Sequence, residues 1–311
     1  MFPPHDPYHI LIPNLAEYWG YNIQLTTQSN HPQPRQSCSN CNEITDQLRI
    51  LLNAWKPFLQ QVRNAYNRVP TTFDYNSRYQ KGIYMLAYFP FYIEPIYYSL
   101  ENFHEQIFLQ NKNKLTISVL GGGPLPELLG IVKLIDEKKN DIQNISVKIF
   151  DKYESWKAEF ESCTQPLVSN YFKGGIFYDQ FQVDIIDIED SIIDNITNTD
   201  IIILQNTIND IPLNKYSSLK NSLLKIWNSL STNSLLIIID LNFNEVRSFM
   251  NQIQIELANL GGNIISGLNV IPIEHRPNIP FCSHLDRLLF SDQDGFRARR
   301  KVNYYRFVIK K

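Results

Sequence analysis

Cysteine is scarce. Four occur in 311 residues (Cys38, Cys41, Cys163 and Cys282), too few for a disulfide framework in a chain this long, so reduced thiols and a cytoplasmic location are expected. Long apolar runs are lacking as well. None approaches the roughly 20 residues that cross a bilayer, and the opening MFPPHDPYHILIPNL has neither the basic flank nor the apolar core of a secretion signal. Charge of one sign is not in excess either. Lys and Arg number 29 against 31 Asp and Glu, which provides no general electrostatic grip on nucleic acid. Nor is there an internal repeat. What remains is an ordinary globular balance, 43% hydrophobic and 19% charged. The length suits one large domain, or a core domain with a smaller one appended.

The pattern changes near residue 113. Residues 1–112 read as a helical, aromatic-rich cap or substrate region, and residues 113–311 as an α/β domain. Residues 27–42 are polar and proline-punctuated, hence an exposed loop. Within 44–67, Leu48, Leu51, Leu52, Trp55 and Leu59 recur at helical spacing, with Pro57 placed to kink or split the helix. Within 78–98, Tyr84, Tyr88 and Tyr92 form one stripe, interrupted at Pro90 and Pro95. Such a stripe suits plain core or the wall of a pocket.

After Asn113, short apolar runs fall at 115–120, 145–150, 181–186, 201–205, 234–239, 264–272 and 303–309. Amphipathic segments separate them at 125–138, 153–165, 214–230 and 243–259. Strands alternating with helices predict βαβ crossovers and a doubly wound, mostly parallel sheet of seven strands. No helical pattern separates the last two runs, so they are expected to form a hairpin with the final strand antiparallel.

The stretch from Ile117 to Ser155 carries the clearest chemistry. Gly121, Gly122 and Gly123 sit where the first strand gives way to a helix. Backbone without side chains turns sharply there and approaches a ligand closely, beside the free N–H donors of a helix start. Pro124 and Pro126 suit the turn and first helical turn. The second strand ends on Asp151, a place from which a carboxylate accepts the hydroxyls of a ribose. A Walker-type phosphate loop is excluded, because no Lys-Ser or Lys-Thr follows the glycines. A dinucleotide fingerprint wants a third glycine where Pro126 stands.

Two later stretches, FQVDIID (181–187) and DIIILQNTINDIP (200–212), read as a third strand ending in acids and a fourth running into polar residues. With VLGGGPLPE, IFDKYESW and IIILQN, residues 113–311 resemble the class I S-adenosylmethionine-dependent methyltransferases. The resemblance implies a Rossmann-like fold and S-adenosylmethionine as cofactor. It implies that Gly121, Gly122 and Gly123 line the methionine portion, that Asp151 binds the ribose, and that Asp184 and Ile185 meet the adenine, with Pro124 and Lys152 also among the cofactor-binding residues. Gln205 and Asn206 would then stand at the mouth of the active site. Two positions depart from the family pattern: Val119 stands where it has an acid, and Leu125 where it has a third glycine. The implied activity is methyl transfer to oxygen or nitrogen of a small molecule or peptide, with Asn206, Tyr88 and His284 as candidate catalytic residues. The GPLP run also resembles the turn of nicotianamine synthases, which implies transfer of the aminocarboxypropyl arm instead. A non-catalytic protein retaining the fold is the third reading.

Other features are weaker. Cys38 and Cys41 form one C-x-x-C, and Cys282 with His284 would complete a zinc tetrahedron, but reduced thiols without metal are expected. RARRK (297–301) reads as a solvated turn, or else as a contact for an acidic substrate or an RNA backbone. His275 and His284 fall in the long connection between the last two strands, where a general base is useful. Asp240 ends the fifth strand and is expected to cap the next helix. The 78–98 segment is expected to close over the acceptor site as a lid.

Overall fold

The computed structural model of the chain describes residues 11, 41–101, 103, 113–138, 141–153, 156–274 and 301–311. Helices α1 (Cys41–Ala65), α2 (Arg78–Ala87) and α3 (Phe89–Glu101) come first. Then follow β1 (Lys114–Leu120), α4 (Pro126–Glu137) and β2 (Asn144–Asp151). Helix α5 (Lys157–Glu159) runs through a π-helical turn (Phe160–Thr164) into α6 (Gln165–Tyr171), ahead of β3 (Gly175–Gln182) and α7 (Asp190–Ile196). The remainder is β4 (Ile201–Gln205), α8 (Tyr216–Ser229), β5 (Leu235–Leu241), α9 (Asn244–Asn259), β6 (Asn263–Glu274) and β7 (Lys301–Lys310).

The strands form one sheet in the order β3-β2-β1-β4-β5-β7-β6. β1 to β5 run parallel, and β7 lies antiparallel to both β5 and β6. This is the doubly wound, mostly parallel α/β sheet with a terminal hairpin that the alternation predicts. The strand order turns back between β1 and β4, so the carboxyl ends of those strands flank the crevice where such sheets hold ligands.

The apolar runs work because both faces of the sheet are covered. In β4, Ile201 and Ile203 join one hydrophobic cluster while Ile202 and Leu204 join the other. β5 alternates in the same way, with Leu235, Ile237 and Ile239 opposite Leu236 and Ile238. One cluster is closed by α8 and α9. The other is closed by α1 to α4, so Trp55, Phe91, Tyr92 and Ile96 share a core with Ile117, Val147 and Leu128. α3 and α4 approach closely at Gly130, where an added Cβ would lie 2.3 Å from Ile96 Cγ2 and 2.6 Å from the carbonyl oxygen of Ile93.

Some boundaries differ from the sequence reading. The third strand spans Gly175–Gln182, not 181–186. As the sheet's edge it exposes Phe177, Asp179, Gln180 and Gln182, so its apolar run is only three residues long, 176–178. Asp184 therefore lies beyond the strand, not at its end. Pro57 sits inside α1 without ending it, since it removes one intrahelical hydrogen bond and α1 is held by packing. The tyrosine stripe breaks at Tyr88 (φ −124°), between α2 and α3, ahead of Pro90. Asp240 does not cap α9: its buried carboxylate accepts from the amides of Ile208 (2.8 Å), Asn209 (3.4 Å) and Leu241 (2.7 Å), so it anchors the turn after β4. No helix among the described residues is long and apolar enough to cross a membrane.

Candidate functional site

A cavity of about 200 Å³ opens where the ends of β1, β2 and β4 meet the N-terminal helices. Its floor begins with the glycine turn. Gly121 and Gly123 hold φ values of 69° and 46°, which side chains resist. At Gly121 a Cβ would also lie 2.6 Å from the Thr207 side chain. The turn places backbone against the cavity and aims α4 into it.

Asp151 stands beside that turn. Its Oδ2 accepts from the Gly123 amide at 2.8 Å and its Oδ1 from the Tyr153 amide at 2.7 Å. Burial raises its pKa, and those two N–H groups oppose the rise. At the rim, Lys152 pairs with Asp184 at 3.0 Å, both partly exposed, and the neighbouring carboxylate raises the lysine's pKa. Ile185 is buried against the cavity.

Gln205 ends β4 and is buried. Its Nε2 donates to the Tyr92 carbonyl (2.8 Å) and to Glu127 Oε1 (3.2 Å). Asn206 follows in a left-handed conformation, φ 52°. Glu127 projects from the first turn of α4. Burial pushes its carboxyl up to about 8, Asp151 adds to the rise, and its own amide and the Gln205 amide oppose it. Deeper along the β4 turn, Asp210 accepts the hydroxyl hydrogen of Tyr75 and a hydrogen bond from Asn209 Nδ2 at 2.9 Å. Burial also holds Asp210 well above the usual carboxylate range.

The roof is aromatic. Tyr84 packs on Trp156 (5.1 Å between ring centroids), on Tyr92 (5.7 Å) and on Phe73 (6.0 Å), while Tyr75 stacks on Tyr153 at 4.9 Å. The loop between α1 and α2 carries Phe73 and Tyr75, and it is tied down where the Thr71 amide donates to the Asn209 carbonyl at 2.8 Å.

The cavity thus gathers Gly121, Gly122, Gly123, Pro124, Asp151, Lys152, Asp184, Ile185, Gln205 and Asn206 along its wall. One of the candidate catalytic residues, Tyr88, stands elsewhere. Tyr88 is not among the lining residues. It caps α2 one layer behind the roof, stacked on Tyr66 at 4.7 Å, because the break there turns its ring into the core. His284 lies outside the described residues, as do His275, Cys38, Cys282 and most of RARRK. The residues that sequence reasoning passed over are Glu127, Phe73, Tyr75 and Trp156. A glutamate in a first helical turn reads as dipole compensation, and Phe73 and Tyr75 sit in a loop with no periodicity.

No family model matches this chain, and no curated protein matches its sequence. Among solved structures it is similar to a precorrin 8W decarboxylase of Methanobacterium thermoautotrophicum (TM-score 0.41, 12% identity, covering 68% of this chain and 89% of that one). It is also similar to a precorrin-6y C5,15-methyltransferase of Geobacter metallireducens (TM-score 0.37, 8% identity, covering 67% and 86%). A third is an antibiotic-related methyltransferase (TM-score 0.36, 16% identity, covering 68% and 94%). Likeness at this level concerns chain path alone.

Proposed function

We propose that the chain binds S-adenosylmethionine in this cavity and transfers its methyl group to oxygen or nitrogen of a small molecule or peptide. The observation that carries the reading is a carboxylate at the end of β2, Asp151, hydrogen-bonded to a left-handed glycine turn at the end of β1. The residues fit such a ligand. Bare backbone faces the cavity at Gly121–Gly123, and Asp151 has lone pairs beyond those its two amide partners use. In this reading Asp151 accepts the ribose hydroxyls, Asp184 and Ile185 flank the adenine, and the glycines accommodate the amino-acid arm. The cofactor, when bound, supplies a sulfonium-activated methyl group. The protein's part is to align the nucleophile and to exclude water. The roof of Phe73, Tyr75, Tyr84, Tyr92 and Trp156 suits that part, and ring faces attract a cation by about 0.5–2 kcal/mol.

Calorimetry with S-adenosylmethionine and S-adenosylhomocysteine tests the cofactor. Binding of neither would favour the non-catalytic reading. Asp151→Ala should weaken binding at least tenfold, a charge-assisted hydrogen bond being worth about 1.5–3 kcal/mol, and unchanged affinity in a folded variant would remove the ribose assignment. The coproduct tests the transferred group. S-adenosylhomocysteine marks methyl transfer, whereas accumulating methylthioadenosine marks arm transfer, the reading that the GPLP run keeps open.

A further inference from the structure

The cavity floor carries oxygens with nothing to accept. Both groups that Gln205 Nε2 meets, the Tyr92 carbonyl and Glu127 Oε1, are acceptors. The amide is therefore fixed in one orientation, with its oxygen directed elsewhere. That Oε1, together with Glu127 Oε2 and Asn206 Oδ1, is buried and has no hydrogen-bond partner. All three residues line the cavity, and Glu127 and Gln205 are only 2% and 3% exposed. Buried acceptors left unsatisfied are costly, and three on residues that line one cavity point to a missing donor. A group with several N–H donors and no lone pair satisfies them together, and a primary ammonium is that group. Charge agrees with geometry. Glu127, Asp151, Asp184 and Asp210 line the cavity, and among its described lining residues the only lysine or arginine is Lys152, at the rim and paired with Asp184.

We infer that Glu127 Oε2, Gln205 Oε1 and Asn206 Oδ1 together hold a primary ammonium group of the bound ligand. Two sources offer one: the α-amino group on the cofactor's amino-acid arm, or an amine on the acceptor. The inference deepens the transferase reading and rests on it for the first source. β1 itself brings no carboxylate to the turn, since it ends on Val119 and Leu120, so the anionic partner comes from α4.

The test compares wild type, Glu127→Gln and Asn206→Gly by calorimetry at pH 8. The ligands are S-adenosylhomocysteine and its analogue with hydrogen in place of the α-amino group. Glu127→Gln keeps the shape of the protonated acid. Asn206→Gly removes an acceptor while tolerating the positive φ, and it carries the comparison if the first variant does not fold. If the cofactor supplies the amine, wild type binds the deaminated analogue at least tenfold more weakly, and either substitution removes most of that difference. If the acceptor supplies it, the two thioethers bind alike, and propylamine raises the melting temperature of wild type but not of the variants. Equal binding of both thioethers with no effect of propylamine overturns the inference and leaves the cofactor reading standing. Stabilisation by propylamine with neither thioether bound does the reverse, and no response to any of the three removes both.

Discussion

Glu127 and Asp240 are carboxyls held out of water, and their titration sets a direction for stability. Unfolded, Glu127 ionises near 4.5; folded, near 8. Asp240 moves from 3.8 to about 7, raised by burial and opposed by the backbone amides of Leu241, Ile208, Asn209 and Thr207. Between those limits the folded chain keeps protons that the unfolded chain has released, so every rise in pH across the window lowers stability. The contribution is complete below about pH 4 and gone above about pH 8. Melting temperature should therefore fall from pH 5 to pH 8.5 in the unliganded protein, and Glu127→Gln should make the fall shallower, most of all above pH 7.5, where Asp240 is mostly ionised. A flat or rising profile would contradict the burial of these two acids. Gly130 makes a second prediction at this scale. A methyl group there meets both Ile96 and the Ile93 backbone, and overpacking of that kind costs about 1–3 kcal/mol. Chemical denaturation of Gly130→Ala should show a net loss, since the gain in helix propensity of about 0.5–1 kcal/mol offsets only part of that cost.

Elements were legible to the extent that their signal was periodic and buried on both sides. β4 and β5 are near-continuous apolar runs because helices cover both faces, and the glycine turn with Asp151 stands out because its backbone conformation is one few residues tolerate. β3 was misplaced by several residues because an edge strand is half solvated. α7 was not seen, being seven residues long and too short for a helical period to register. The roof was half legible. The tyrosine stripe announced itself, yet Tyr84 and Tyr92 face the cavity and Tyr88 does not, a distinction made by the break at residue 88. One contact between elements yields a sharper expectation. Lys81 of α2 and Glu159 of α5 form a buried ion pair, with the ammonium 3.0 and 3.1 Å from the two carboxylate oxygens. Removing one partner leaves a buried charge, at a cost of about 3–5 kcal/mol, while replacing both by apolar residues of similar volume is about neutral. Lys81→Met should thus unfold at much lower denaturant than the double variant Lys81→Met, Glu159→Leu. Equal midpoints would show that the pair is solvated.

For the whole molecule, the core that the described N-terminal helices share with the sheet matters most. α1, α2 and α3 cover one face of the sheet as its outer layer, in the same hydrophobic cluster as the strands. Deleting residues 1–100 should strip that face of every helix but α4 and α6 and give an insoluble product, and a soluble deletion with a cooperative melt would refute the shared core. The same arrangement has a consequence for how the protein could change over generations. Phe73, Tyr84, Tyr92 and Trp156 shape the cavity and also fill the core, so remodelling the pocket taxes the fold at each step. New ligand preferences would have to come first from the rim, at Lys152, Asp184 and Pro212, where substitutions disturb little packing. The aromatic interior would follow only in a lineage that had already accumulated stability to spare.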